Sequence, residues 1–130
     1  MSTGLPVTLT IHGEPASKAN SRQIVTIRGR PAVIKSKKAR LYVAEFAAQC
    51  PKIEPLLDGD LIATIHIFYR TRRPDLDASV VLDCLQNRVI ENDRQFKELH
   101  LYHGIDRENP RAEISITKKA LSEKERAKQE

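Results

Sequence analysis

The stretch Asp60-Leu61-Ile62-Ala63-Thr64-Ile65-His66-Ile67-Phe68-Tyr69-Arg70 constrains the fold more than any other part of the chain. Alternation sets Leu61, Ala63, Ile65, Ile67 and Tyr69 on one side of a strand and Ile62, Thr64, His66 and Phe68 on the other. Both sides carry apolar groups. That pattern predicts a central strand covered on both faces along much of its length. His66 can be read as a metal ligand, but a histidine among strand apolars is more often a satisfied core group. Pro74 then ends the strand. It has no amide to offer a ladder, and it holds Arg73 extended.

The other elements follow from periodicity and punctuation. Val7–Ile11 alternates and reads as a strand. Residues 12–22 are small, polar and broken by Gly13 and Pro15, as in a loop. Gln23–Ile27 and Ala32–Ile34 read as the arms of a hairpin turning at Arg28-Gly29-Arg30-Pro31. Ser36 is placed to cap a helix over Lys37–Gln49, with Leu41, Ala44, Phe46, Ala47 and Ala48 as its core-facing stripe. Pro51 and Pro55 follow as stops. Residues 78–90 show helical spacing through Val81, Leu82, Leu85 and Val89. Asn92-Asp93-Arg94 is a turn. Lys97–Ile105 reads as a strand with Leu99, Leu101, His103 and Ile105 on one face. Glu108-Asn109-Pro110 turns the chain into a final strand, Arg111–Thr117, and these last two strands are expected to form a hairpin. Residues 118–130 are charged and polar almost throughout, as in a frayed surface helix or a disordered tail. The chain has no internal repeat.

A length of 130 residues suits one domain, and 40% apolar residues are enough for one core. The net charge of +5 favours a polyanionic partner. Between Lys18 and Arg40 lie eight basic residues and no acid. That run is either a solvated loop and hairpin or a patch that contacts phosphates. Cys50 and Cys84 show neither CxxC spacing nor a histidine cluster, and read as buried thiols of a reducing compartment. No apolar run approaches the roughly 18 residues of a membrane span, and the N-terminus lacks signal-peptide features. A soluble, cytoplasmic protein is expected.

Acidic residues recur among bases from residue 70 onward. In an extended segment Asp75 and Asp77 point to the same side. Carboxylates that close repel each other unless a cation lies between them or one takes a proton. Mg²⁺ is held by hard oxygens, typically one or two carboxylates with waters and substrate phosphate. Asp93 lies beyond a helical pattern of about 13 residues, roughly 20 Å of helix. It joins the pair if the following segment leads back. Such a site would hydrolyse phosphodiesters, the metal polarising the phosphate, acidifying water and steadying the leaving oxygen. Arg70, Arg72 and Arg73 beside the pair, and Arg94 and Lys97 beside Asp93, would hold the nucleic-acid backbone. Each acid also has a plainer reading: Asp77 as a helix cap, Asp75 as a turn residue after proline, Asp93 as a cap or turn. The arginines can be ordinary ion-pair partners.

The segment Arg72-Arg73-Pro74-Asp75-Leu76-Asp77, the helical step Leu82-Asp83-Cys84-Leu85 and the turn Asn92-Asp93-Arg94-Gln95 resemble the RusA family of Holliday junction resolvases, often carried by prophages. Asn92 stands where the family's turn has its first aspartate. The loop Glu14–Arg22, with its Pro15 and Asn20, and a helix bearing Tyr42 are consistent with it, so the resemblance spans about residues 5–117. It implies a small α+β domain over residues 1–117, with a mixed sheet of about five strands packed with two main helices, ahead of the tail at 118–130. It also implies a homodimer that cuts branched DNA, above all four-way junctions, in recombination and repair with Mg²⁺ or Mn²⁺. Asp75, Asp77 and Asp93 occupy the places of the family's catalytic, metal-binding carboxylates. The expected DNA contacts are Lys18, Arg22, Arg28, Arg30, Lys37, Lys38, Arg40, Arg70, Arg72, Arg73, Arg94 and Lys97. A two-fold junction needs two cuts, and one active site per subunit of a dimer is the simplest geometry for that. The chain departs from the family at Ala78, where asparagine is common, and at Val80 and Val81, where a catalytic lysine is expected. The interval from Asp77 to Asp93 is also shorter. The carboxylates therefore carry over and the lysine's role does not. Lys97, Arg94 and Arg73 are the candidate stand-ins. A scaffold that binds branched DNA without cutting it is the alternative.

Overall fold

The computed structural model describes residues 6–17 and 22–119. Lys18 and residues 120–130 of the charged tail lie outside them. The elements in chain order are β1 (Val7–His12), β2 (Arg22–Ile27), β3 (Arg30–Lys35), α1 (Lys37–Gln49), β4 (Leu61–Tyr69), α2 (Ser79–Leu85), a 3-10 turn (Asp93–Gln95), β5 (Phe96–Ile105) and β6 (Arg111–Lys118). This is an α+β domain. Its main sheet is mixed and four-stranded, in the order β1-β6-β4-β5, and β2 and β3 pair separately.

Strand β4 is central, as its composition requires. It runs antiparallel to β6 on one side and parallel to β5 on the other. The hairpin expected between the last two strands does not form. β5 and β6 do run in opposite directions, but β4 lies between them, and residues 106–110 pass over its end. The Asp106 amide donates to the Tyr69 carbonyl there, at 2.8 Å. A strand inserted from earlier in the chain leaves no local trace in residues 97–117.

Only one face of β4 is fully covered. Leu61, Ala63, Ile65, Ile67 and Tyr69 are all 0% exposed. They share a core with Tyr42 and Phe46 of α1, Val80, Val81 and Leu85 of α2, and Ile114 and Ile116 of β6. Ile62, Thr64, His66 and Phe68 are half-buried on the open face. Their rings cover one another: His66 stacks on Phe68 at 4.2 Å, and the Arg111 guanidinium lies 4.0 Å above the Phe68 ring. Apolar groups on the second face are therefore sheltered within the sheet rather than by a second layer.

Helix α1 starts where Ser36 predicts, its hydroxyl accepting from the Ala39 amide at 3.1 Å. Its buried stripe is Ala39, Tyr42 and Phe46, at i, i+3 and i+7. Leu41 is 53% exposed, and Ala44, Ala47 and Ala48 also face outward. The stripe is turned by one position because Tyr42 packs edge-on against Phe46, with ring centres 6.1 Å apart. The second helix is shorter than its periodicity suggests. After Leu85 the chain tightens through Asn87, a left-handed residue at φ 67°. Val89 and Ile90 then reach the core from a turn. Arg88 in that turn donates to the Ala47 and Cys50 carbonyls at 2.8 and 3.0 Å, so a cation closes the C-terminal end of α1.

The β2–β3 hairpin turns on Arg28 and Gly29, both left-handed at φ 52° and 79°, the pair of positive angles a two-residue hairpin loop requires. Ile24, Ile27 and Val33 on its arms are exposed. Cys50 is buried and Cys84 half-buried, and both are free. Burial pushes both thiols up, Cys84 to about 11. Among the described residues no helix is long and apolar enough to cross a membrane.

Candidate active site

The chain leaves β4 at Tyr69 into the segment that carries Asp75 and Asp77. Tyr69 is the last inward residue of the strand, and its buried phenol needs polar partners. It donates to the Asp75 carbonyl at 3.1 Å and accepts from the Asp77 amide at 3.2 Å. One side chain thus fixes the backbone of both aspartates. His103 of β5 adds a contact to the Pro74 carbonyl at 3.1 Å. Burial pushes the Tyr69 phenol up, so it remains a donor at neutral pH. The Tyr69→Phe variant keeps the packing ring and leaves the Asp77 amide without its partner. Urea unfolding is expected to show a loss of about 1–2 kcal/mol, and hydrogen exchange should show faster exchange at Asp77.

The two carboxylates differ in what holds them. Asp77 Oδ1 accepts from the Ser79 amide at 3.0 Å and from the Ser79 hydroxyl, which steadies the start of α2. The N-cap of α2 is Ala78, so Asp77 is not its cap, and its contacts to Ser79 are compatible with site chemistry, because Oδ2 carries no hydrogen bond among the described residues. Asp75 is exposed, and among those residues its carboxylate has neither hydrogen bond nor ion pair. The pair fits the donor set of Mg²⁺: hard carboxylate oxygens, open on the solvent side for waters and a phosphate.

Glu14 is a further acid at this end of β4. Oε2 accepts from the Arg70 amide at 2.7 Å, and Oε1 from the Lys38 ammonium at 2.8 Å. Burial alone would raise its carboxyl. The Arg70 amide and Lys38 outweigh that and hold it below the ordinary range. Glu14 so ties the loop after β1 to α1 and to the exit of β4.

Asp93 lies elsewhere. It opens the 3-10 turn that leads into β5, where Phe96 pairs with Leu61 at the beginning of β4. Asp75 and Asp77 are held at the end of β4, and the nine residues between span roughly 26 Å. Among the described residues no three of His, Cys, Asp or Glu gather closely enough to hold a metal. The segment after α2 does not lead Asp93 back to the pair within one chain. The parallel pairing of β4 and β5 explains why: a parallel crossover must return to the starting end of the first strand. Gln95 builds the Asp93 turn. Its Oε1 accepts from the Glu91 and Asn92 amides, and its Nε2 donates to the Leu57 and Gly59 carbonyls.

The expected basic contacts fall into three groups. Arg70, Arg72 and Arg73 are exposed around the aspartate loop. Arg22, Arg28 and Arg30 are exposed on the hairpin, with Lys37 and Arg40 exposed at the adjoining start of α1. Lys38 is engaged by Glu14, and Arg40 donates to the Lys35 carbonyl at 2.6 Å. Arg94 and Lys97 are exposed beside Asp93, along a cleft that also includes Asp60 and Glu91. Val80 and Val81 are 5% and 0% exposed, so they belong to the core. Two bases of the hairpin, Arg22 and Lys35, line a cleft with Ser79 and Asp83 at the start of α2.

Four residues important here escape a reading of the sequence by spacing: Tyr69, Glu14, Gln95 and Lys35. For Tyr69 the signal was present, a phenol at the inward end of a buried strand. Glu14 and Lys35 acquire their roles only through contacts far along the chain.

A search among curated proteins gave no match. The family model for endodeoxyribonuclease RusA matches residues 12–117, from the end of β1 to β6, and so takes in the aspartate loop, α2 and the Asp93 turn. With that match covering most of its length, the chain belongs to the RusA endodeoxyribonuclease family.

Proposed function

We propose that the chain is a metal-dependent endonuclease that resolves four-way DNA junctions, acting in the cytoplasm on intermediates of recombination and repair. The observation that carries this reading is the Asp75–Asp77 loop. It is pinned through Tyr69 to the central strand and carries a carboxylate that is unpartnered among the described residues, beside exposed arginines. Asp75 and Asp77 would hold Mg²⁺ or Mn²⁺, and Asp93, at the opposite end of β4 within one chain, would supply the third carboxylate from the second subunit of a homodimer. When bound, the ion supplies Lewis acidity toward the phosphate and a more acidic water. The chain's own residues do the rest. Tyr69 fixes the spacing of the two acids, Arg70, Arg72 and Arg73 hold the flanking phosphates, and the hairpin bases Arg22, Arg28 and Arg30 extend the contact along a DNA arm.

The test is a parallel digest of a four-way junction, a flap, a duplex and a single strand, with and without Mg²⁺ or Mn²⁺. Paired cuts in the junction that need the metal are expected. Full activity in excess EDTA would sink the metal reading, and equal cutting of all four substrates would sink the junction reading. The burial of Val80 and Val81, where a catalytic lysine is expected, favours a second reading. In it the domain binds branched DNA with a steep salt dependence and yields no product under any metal.

A further inference from the structure

The base of the β2–β3 hairpin holds two cations side by side. Arg22 opens β2, Lys35 closes β3, and the two are direct partners in the antiparallel register. Like charges placed opposite each other in a strand pair repel and cost stability. Both residues are exposed. Among the described residues neither side chain has a hydrogen bond or an ion pair. Only the Lys35 carbonyl is engaged, accepting from Arg40.

The two bases line a cleft of about 130 Å³ with Ser79 and Asp83, one turn apart on α2, and with the buried apolar residues Ala39 and Val80. Pockets that take drug-sized molecules begin at roughly 300 Å³, so this one suits a single small anion. Lys35 reaches across to α2: burial and Asp83 push the Cys84 thiol up, and Lys35 opposes them. Asp83 is the one acid of the lining, and among the described residues its carboxylate has no hydrogen bond or ion pair. Two bases against one acid leave the cleft net positive.

Ser79 joins this cleft to the aspartate loop. It lines the cleft, and its amide and hydroxyl both donate to Asp77 Oδ1. Asp77 and Ser79 are two residues apart, at most roughly 7 Å along the chain. A DNA strand presents a phosphate about every 3.4 Å of helix axis. A strand with one phosphate at the loop therefore has another at the cleft, one or two nucleotides away. We propose that the cleft is a phosphate subsite for the strand being cut, in which Arg22 and Lys35 grip a phosphate one or two nucleotides from the scissile bond. The inference rests on the nuclease reading above and adds to it how the cut strand is set in register with the aspartates. The bound phosphate relieves the repulsion between the two bases. Binding energy gained at a group that does not react orients the one that does. Arg28 and Arg30, at the hairpin turn, are left to contact DNA farther out.

Four-way junctions carrying one neutral methylphosphonate, moved step by step along the cut strand, test this. Single-turnover cleavage in Mg²⁺ is measured for the wild type and for the double variant Arg22→Gln, Lys35→Gln. The wild type should lose about tenfold at one position within two nucleotides of the cut, the scale of a charge-assisted contact. The double variant should cut the unmodified junction about tenfold more slowly and lose nothing further at that position. Lys35→Arg keeps the charge and should keep the loss. Thermal unfolding of the double variant should be unchanged or higher, because two opposed charges have gone. A double variant that still loses tenfold at the same position overturns the subsite and leaves the nuclease reading standing. So does a wild type that is indifferent to the neutral group everywhere except at the scissile phosphate. A wild type that cuts no unmodified junction with either metal overturns the nuclease reading and this inference with it.

Discussion

Asp77→Asn is expected to lower junction cleavage on the order of a thousandfold while the fold and DNA binding persist. The substitution is nearly isosteric. The amide oxygen of asparagine can still accept from the Ser79 amide, so the start of α2 keeps the contact that Asp77 Oδ1 makes at 3.0 Å. What is lost is one negative charge beside Asp75, and with it the field that draws a divalent ion to the loop. Binding to DNA should hold or tighten, because a charge that repels phosphate has gone. Single-turnover cleavage in Mg²⁺, with gel shifts in Ca²⁺, separates the two effects. Asp77→Ala serves as the contrast. It removes the bonds from Ser79 as well and should cost about 1 kcal/mol in unfolding, which the asparagine variant should not. Cleavage by Asp77→Asn within tenfold of wild type would remove Asp77 from the chemistry and leave it as the acceptor that holds Ser79.

What could be read in the sequence and what could not divide along one line, whether the cause lies within a few residues. Helix α1 is recognisable to the residue at both ends, because Ser36 and its bond to the Ala39 amide are local. Its buried face is less so, because leucine and tyrosine at adjacent positions compete for the core, and the edge contact between Tyr42 and Phe46 decides in favour of the tyrosine. β4 is legible from its alternation, with apolar residues on both sides, yet its insertion between β5 and β6 is set by chain elements tens of residues apart. The aspartate loop is legible as a motif because proline, spacing and flanking arginines are neighbours in sequence. The position of Asp93 is not. It follows from the parallel crossover between β4 and β5, and no feature of residues 78–95 records which end of the sheet the crossover reaches.

Gln95 shows the same limit and yields the second large expected effect. The family pattern contains this glutamine, and the structure supplies its reason. Oε1 accepts from the Glu91 and Asn92 amides at 2.9 and 3.0 Å, and Nε2 donates to the Leu57 and Gly59 carbonyls, both at 3.0 Å. One side chain therefore fastens the turn bearing Asp93 to the segment entering β4. Gln95→Ala strands four backbone groups at once. Water can reach some of them, so the expected loss is about 2–3 kcal/mol rather than the full cost of four bonds. Gln95→Glu is a sharper variant. It keeps both acceptor contacts but puts a carboxylate where the Leu57 and Gly59 carbonyls require a donor. It should be no more stable than the alanine variant. Cleavage per folded molecule should fall tenfold or more in both, the scale seen when the support behind a metal-binding carboxylate is removed. Urea unfolding and single-turnover cleavage measured on the same samples decide the matter. If stability falls and cleavage per folded molecule does not, then the orientation of Asp93 does not matter to the reaction, and Asp75 and Asp77 carry it without Asp93.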